Sequence, residues 1–279
     1  MHYWSRHLAL ALALLAAGCG SDDPAFALPA NGDSVVGTVQ TVHVTTPTRA
    51  VELAQRYSVG LSELRRSNPT VRMRGGLIPA NSEVTLPTEF ILPDVPRRGI
   101  VINLAERRLY FFPPDTDERP RRVFRFAAAV GRDEWQTPTG ETRIAEKIAD
   151  AAAENPLGPF ALRLGWKKHL IHGTGTPDSI GPRASQGTVR LYAADMAWLF
   201  ERVQEGTPVR LVDQPFKIGT RGGSLYLESH APLSAPEIRE RVAQRIEALA
   251  RKHDRRVDYD ALKRALSAPT GLPIRVSTS

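Results

Sequence analysis

The sequence predicts a mainly β protein: a β-sandwich or barrel-like domain with one helix, a small βααβ unit ahead of it and a helical tail behind. Three observations carry this reading. From Gly99 onward, short apolar runs follow one another with turn residues between them, the pattern of strands that close into a sandwich or barrel with a helix at one side. Between Val51 and Leu64 the apolar residues keep helical spacing and stand between two alternating stretches. Near the C-terminus, Ile238, Val242, Ile246 and Leu249 mark one face of a helix whose other face is Arg and Glu. A chain of 279 residues that is 42% hydrophobic and 24% charged is globular material, which excludes disordered and collagen-like classes. Its 1 cysteine excludes an internal disulfide and a multi-thiolate metal site. The balance of 37 Lys and Arg against 30 Asp and Glu gives a net charge of +7, a basic but mixed surface that suits an anionic polymer or a membrane and does not call for nucleic acid.

The first element is a targeting segment. Arg6 precedes an unbroken Leu and Ala run from Leu8 to Ala17, which meets Gly18-Cys19. The run is too short to span a bilayer, which takes ~20 residues. Ala16, Ala17 and Gly18 before Cys19 resemble a bacterial lipobox, so residues 1–18 are expected to be a signal peptide and Cys19 to carry the lipid. Two or more acyl chains make a stable anchor. Gly20 follows the cysteine rather than Asp, and the resemblance then implies the periplasmic side of the outer membrane. Residues 19–38, rich in Gly, Ser, Asp, Pro and Ala with no hydrophobic period, read as a lipidated tether.

Residues 39–88 form the βααβ unit. Val42-His43-Val44 alternates as a strand, Val51 to Leu64 supplies two helical segments across a Ser58-Val59-Gly60 turn, and Glu83-Val84-Thr85-Leu86-Pro87 closes the unit. Ala54 to Val59, Leu61-Ser62-Glu63-Leu64, Asn68-Pro69 and Val84 to Pro87 together resemble a LysM domain, which implies contact with the glycan backbone of peptidoglycan or chitin. The opening departs from that family: Val42 to Thr48 stands where Tyr-Thr-Val-x-x-Gly-Asp-Thr is usual. A spacer without glycan affinity is the alternative.

A joint rich in proline, Leu92 to Pro96, leads into residues 98–213. Ile100 to Leu104 and Arg108 to Phe112 flank a short turn as a hairpin, Val123 to Val130 is a third strand, and Thr142 to Ile148, Phe160 to Leu164 and Leu170 to His172 follow. The helix runs from Ala193 to Val203, before a strand at Val209 to Val212. Arg119 to Arg125 reads as an exposed basic strand edge. Residues 214–279 are expected to be an extension built on the amphipathic helix Glu237 to His253.

The chemistry concentrates in Ile171-His172-Gly173-Thr174 and Ser185-Gln186-Gly187-Thr188-Val189-Arg190-Leu191. With Ile100 to Tyr110, Gly131, Gln136 to Gly140, Asn155 to Leu162 and Leu225 to Glu228, these segments resemble the L,D-transpeptidase catalytic (YkuD-type) family. The resemblance implies acyl transfer on the stem peptides of peptidoglycan through a thioester on a cysteine activated by a histidine. A thiol with pKa ≈ 8.5 ionises readily beside an imidazole, and a covalent intermediate splits acyl transfer into two easier steps. By motif, His172 matches the base, Gly187 and position 188 the backbone donors of an oxyanion site, and Gly173, Ser185, Gln186 and Arg190 the surrounding substrate-binding positions. Two positions depart: Thr188 stands where the family has its nucleophilic cysteine, and Gln186 where it has a second histidine. Two functions follow from this. The chain either transfers acyl groups on peptidoglycan with an altered nucleophile, or binds peptidoglycan without catalysis and ties the outer membrane to the wall. No cofactor is expected. His169, His230 and His253 lack ligand spacing, so no metal is expected either, and Trp135, Trp166 and Trp198 read as core or cleft-wall aromatics.

Overall fold

A computed structural model describes residues 25–29, 31–114, 121–149, 157–166, 168–230 and 236–278. The signal peptide, Cys19 and the segment 150–156 lie outside them. In chain order the first part holds β1 (Ala25–Ala27), β2 (Val35–Val36), β3 (Gln40–Val44), β4 (Thr48–Arg49), α1 (Ala50–Arg56), α2 (Leu61–Ser67), β5 (Leu77–Ile78), β6 (Ser82–Leu86) and β7 (Phe90–Ile91). The middle part holds β8 (Gly99–Asn103), β9 (Arg108–Phe112), β10 (Arg122–Gly131), β11 (Gly140–Ala149), β12 (Phe160–Leu164), β13 (Leu170–His172), β14 (Arg183–Ser185), β15 (Val189–Leu191), α3 (Ala193–Arg202) and β16 (Pro208–Val212). The last part holds β17 (Phe216–Arg221), β18 (Ser224–Ser229), α4 (Pro236–Lys252), β19 (Arg256–Val257), α5 (Tyr259–Ser267), β20 (Ile274–Arg275) and β21 (Ser277–Thr278).

The middle strands close on themselves. Pairing runs β10-β15-β13-β12-β11-β16-β8-β9, and β9 pairs again with β10, so the expected barrel-like sheet is formed. Strand alternation fills it: Ile100, Ile102, Leu109, Phe111, Phe126, Ala128 and Val130 point into one core, capped by Met196 and Leu199 of α3. The opposite faces of β8 to β10 are buried as well, because Val101, Tyr110, Phe112 and Val123 pack with Val36, Phe90 and Leu92. Both faces being covered explains why Arg108–Phe112 has no exposed residue.

That cover is the first part of the chain. β3 and β6 pair antiparallel around α1 and α2, giving the βααβ order with its own core of Leu53, Leu64, Ile78, Val84 and Leu86. The unit sits on the outer face of β9 and β10 through a buried ionic group. Glu63, at the N-terminal turn of α2, bonds with one carboxylate oxygen to Arg108 and with the other to Arg125 at 2.8 Å. Arg125 also donates to the Pro87 carbonyl at 2.7 Å and lies over the Phe90 ring. Burial works to raise the Glu63 pKa, but the two guanidinium groups hold it below the ordinary carboxylate range.

Three sequence expectations are corrected here. From Ala25 onward the stretch 19–38 is not a free tether: β1 adds to the Arg122–Phe124 end of β10, Phe26 packs edge-on against Phe90, and β2 pairs with β7. Phe26, Leu28, Val35 and Val36 give apolar contacts to a segment whose composition alone suggests a linker. Of the basic stretch Arg119 to Arg125, residues 119 and 120 lie outside the described residues and Arg121 and Arg122 are exposed, but Arg125 is 4% exposed and β10 has neighbours on both sides, so the strand is not an edge. The extension 214–279 is more than a helix. β17, β18 and β20 form a sheet against which α4 and α5 bury Ile246, Ala250, Leu262 and Ala265. Leu225 to Glu228 therefore belong to this sheet and not to the barrel, although the amphipathic helix itself falls where it is expected. Among the described residues no helix is long and apolar enough to cross a membrane.

Candidate active site

The site grows from the parallel pairing of β13 and β15, which sets Ile171 opposite Val189 and His172 opposite Arg190. His172 ends β13 and Thr188 immediately precedes β15, two residues before Arg190, so the register puts the two side chains diagonally on one face. His172 Nε2 lies 3.1 Å from Thr188 Oγ1. His172 Nδ1 lies 2.6 Å from the Gly173 carbonyl oxygen, which can only accept, so Nδ1 carries the proton in the neutral ring. The Nε2 lone pair is then free to accept from the threonine hydroxyl. Burial lowers the His172 pKa and the Arg190 charge adds to this, against the raising effect of the Gly173 and Leu157 carbonyls. The result is a neutral imidazole, fixed in its tautomer and aimed at a hydroxyl.

The loop that carries Thr188 is held by its own backbone chemistry. Ser185 is fully buried and donates its hydroxyl to the Thr188 carbonyl at 2.5 Å, closing a tight turn over Gln186 and Gly187. Gly187 has φ +89, a conformation in which an L side chain is strained. Arg132 N donates to the Ser185 carbonyl at 3.1 Å and Thr137 Oγ1 accepts from Gly131 N at 2.9 Å, tying the turn after β10 to the same place. A Cβ on Gly131 would stand 2.1 Å from the Trp135 carbonyl oxygen, so only glycine admits this turn.

Of the residues expected at the site, His172, Gly173, Ser185, Gly187, Thr188 and Arg190 are brought together. Gln186 is exposed at the tip of the turn. Sequence reasoning did not assign Thr137 or His169 to the site, although Thr137 lies in the quoted Gln136–Gly140 segment. His169, in the turn between β12 and β13, places Nε2 3.9 Å from where a Gly187 Cβ would be, and Trp166 packs edge-on to its ring. No spacing signal could have found it, since only the hairpin turn brings it there.

Among the described residues one cluster could hold a cation. Glu106, Glu228 and His230 are buried with ligand atoms within 4.8 Å of one another. The fold brings Glu106, in the hairpin turn after β8, to Glu228 near the end of β18 and His230 directly after it. The Lys217 ammonium already stands among them, 2.9 Å from Glu106 and 3.0 Å from Glu228, and donates to the Ile91 carbonyl at 2.5 Å. Burial would raise the Glu106 pKa, yet Lys217 and the neighbouring positive groups bring it down to about 2. The chemistry is that of an internal ion-pair group joining the hairpin turn after β8, β7 and the C-terminal sheet.

A family profile describing the L,D-transpeptidase catalytic domain (YkuD) matches residues 97–211. The chain is 33% identical over 299 aligned positions to the probable L,D-transpeptidase ErfK/SrfK of Escherichia coli (strain K12), covering 95% of this chain and 95% of that protein. It is 30% identical over 292 positions to the probable L,D-transpeptidase YbiS of the same strain, covering 90% of this chain and 92% of that protein. A crystal structure of an L,D-transpeptidase from Mycobacterium tuberculosis H37Rv aligns with 49% of this chain and 64% of that one, at 18% identity and a TM-score of 0.34. With relatives matched along nearly its whole length and the family profile lying over the barrel, His172 and Thr188, this chain belongs to the L,D-transpeptidase catalytic-domain (YkuD) family.

Proposed function

We propose that this protein acts on the stem peptides of peptidoglycan by acyl transfer, with His172 as base and Thr188 as the attacking group. The 3.1 Å contact between His172 Nε2 and Thr188 Oγ1, with the tautomer set by Gly173, carries this reading. Thr188 Oγ attacks the carbonyl of the penultimate residue, in the last peptide bond of the stem, while its proton passes to His172 Nε2. Collapse of the tetrahedral adduct breaks the C–N bond, returns that proton to the leaving terminal D-amino acid and leaves an ester on Thr188. An acceptor amine then resolves the ester, giving a cross-link or an attached protein. The Gly187 and Thr188 backbone N–H groups are the oxyanion donors in this scheme, and Gly173, Ser185, Gln186 and Arg190 border the substrate.

Thr188 makes the reaction slow. A hydroxyl ionises far less readily than a thiol, its methyl crowds the attack, and a histidine with a lowered pKa is a weak base. These properties favour one second reading, a binder of stem peptides that ties membrane to wall without turnover. In both readings residues 39–88 serve as the LysM-like glycan contact, and lipid on Cys19 holds the protein at the periplasmic face of the outer membrane. The lipobox-like Ala16 to Cys19 and the βααβ order with its closing Val84 to Pro87 strand support these assignments.

The test is incubation with tetrapeptide muropeptides and mass spectrometry of released D-amino acid. Slow release that disappears in Thr188→Ala supports acyl transfer. No release from the parent chain and turnover by Thr188→Cys supports the binder reading on an intact scaffold. No release from either chain overturns the site assignment.

A further inference from the structure

The βααβ unit touches the barrel at more than the Glu63 group, and its contacts fall on both flanks of the loop that carries Thr188. Ahead of Thr188, Leu61 N donates to the Ile180 carbonyl at 3.2 Å, and Gly60 and Gly181 pack so closely that a Cβ on Gly60 would stand 3.0 Å from the Gly181 Cα. Ile180 is fully buried, packed with Ala127, Ala129 and Tyr192, and Gly181 N donates to the Ala128 carbonyl at 3.2 Å. After Thr188, the Tyr192 hydroxyl donates to the Val59 carbonyl at 2.9 Å, and the Ser58 hydroxyl donates to Asp195 in the first turn of α3 at 2.6 Å. Arg108 joins the pieces, donating to the Ser58 carbonyl at 2.5 Å and to Glu63. Six consecutive residues, Ser58 to Glu63, thus reach Ile180 on one side of the loop and Tyr192 and Asp195 on the other.

We propose that the Ser58–Glu63 segment is a clamp on the Thr188 loop, and that Glu63, acting through Arg108, is a positioning residue for the acyl-transfer site. The physical basis is that Glu63 is 4% exposed and supplies the counter-charge for two arginines that are 1% and 4% exposed. Without it both guanidinium groups are buried and unpaired, and the face of β9 and β10 under the unit no longer tolerates the docked arrangement. The unit then loosens from the barrel and Ile180, Tyr192 and Asp195 lose their partners together. Thr188 sits between those points, so its distance from His172 is set partly from outside the barrel. The inference rests on the acyl-transfer reading for its importance, though not for its geometry.

Hydrogen exchange resolved by mass spectrometry on the full chain tests it. In Glu63→Gln, amides of residues 177–191 are expected to exchange at least ~10 times faster while those of β11 and β12 keep their rates, and Glu63→Asp is expected to recover most of the protection. In the Thr188→Cys background, Glu63→Gln is expected to change the pH profile of alkylation at position 188, which a purely structural contact would leave alone. If Glu63→Gln does not stay folded, the paired Ser58→Ala and Tyr192→Phe chain, which removes only hydroxyl contacts, carries the same expectation. Unchanged exchange in 177–191 together with an unchanged alkylation profile in a folded variant overturns the clamp. A Thr188→Cys chain that is inert toward muropeptides while exchange still depends on Glu63 overturns the acyl-transfer reading and leaves the clamp standing.

Discussion

Glu63 and Arg125 are 62 residues apart in sequence and form a buried ion pair at 2.8 Å that joins the βααβ unit to the outer face of the barrel. A second guanidinium, Arg108, shares the same carboxylate. Replacing one partner of a buried pair leaves a charge without compensation, and this costs more than the pair contributes over an apolar substitute. Glu63→Gln is therefore expected to lower unfolding free energy by roughly 3–5 kcal/mol in chemical denaturation. The Glu63 pKa is lowered in the fold, so its contribution is complete above its unfolded value and fades as pH falls through the folded one. The difference between parent and Glu63→Gln should accordingly shrink in strongly acid solution.

Asp195 behaves in the opposite sense. Burial raises its pKa to about 6, against the lowering effects of the Ser58 hydroxyl and Arg108. Between the ordinary aspartate value of 3.8 and about 6 the unfolded chain has released a proton that the folded chain still holds, so stability falls as pH rises across that window. Asp195→Asn is expected to flatten the curve there, by about 2 kcal/mol between the two ends. Denaturation midpoints of both chains from pH 4 to pH 6.5 check this, and equal slopes would contradict it.

His172 has a lowered pKa, set first by burial. Its imidazole keeps its neutral form to lower pH than the ordinary histidine value of 6.5, so base assistance to position 188 should persist into mildly acid solution. Stability should fall with acid below that value, because the unfolded histidine takes up its proton first. A two-dimensional NMR titration of the ring reads the shift directly, and a midpoint above the ordinary histidine value would contradict it.

Two glycines near the site should respond differently to alanine. Gly131→Ala places a Cβ 2.1 Å from the Trp135 carbonyl and 2.6 Å from Thr137 N, both backbone atoms that cannot move aside cheaply. Gly187→Ala meets nothing nearer than 3.6 Å and costs only the strain of φ +89. That strain is about 1–2 kcal/mol, so thermal denaturation should show the larger loss for Gly131→Ala.

The barrel is readable in the sequence because its strands alternate: Ile100, Ile102, Leu109, Phe111 and Phe126 identify one buried face directly. What escapes is the second buried face. Arg108, Tyr110 and Arg125 occupy the outward positions of β9 and β10, where period-two reasoning assigns solvent, and nothing local announces that Glu63 will come to them. The same holds for Phe26 and Val36, two apolar residues in a stretch with linker composition. At the site, His172 and Thr188 are found through a motif, while His169 and Thr137 arrive through turns that the motif does not contain. The C-terminal sheet is missed because Leu225 to Glu228 matches a pattern attributed to the barrel, and short strands carry no mark of the sheet they join.

The pairing of His172 with Thr188 is tested most directly by looking for the covalent acyl group at position 188. Full chains of the parent, Thr188→Cys, and Thr188→Cys with His172→Gln are incubated with tetrapeptide muropeptides, digested and measured by mass spectrometry. The expected result is an acyl mass on the peptide holding position 188 in Thr188→Cys, reduced at least ~100-fold when His172 is replaced, and little or none in the parent at the same time point. An adduct that forms equally well without His172, or no adduct in a folded Thr188→Cys chain, would contradict the assignment of His172 and position 188 as base and nucleophile.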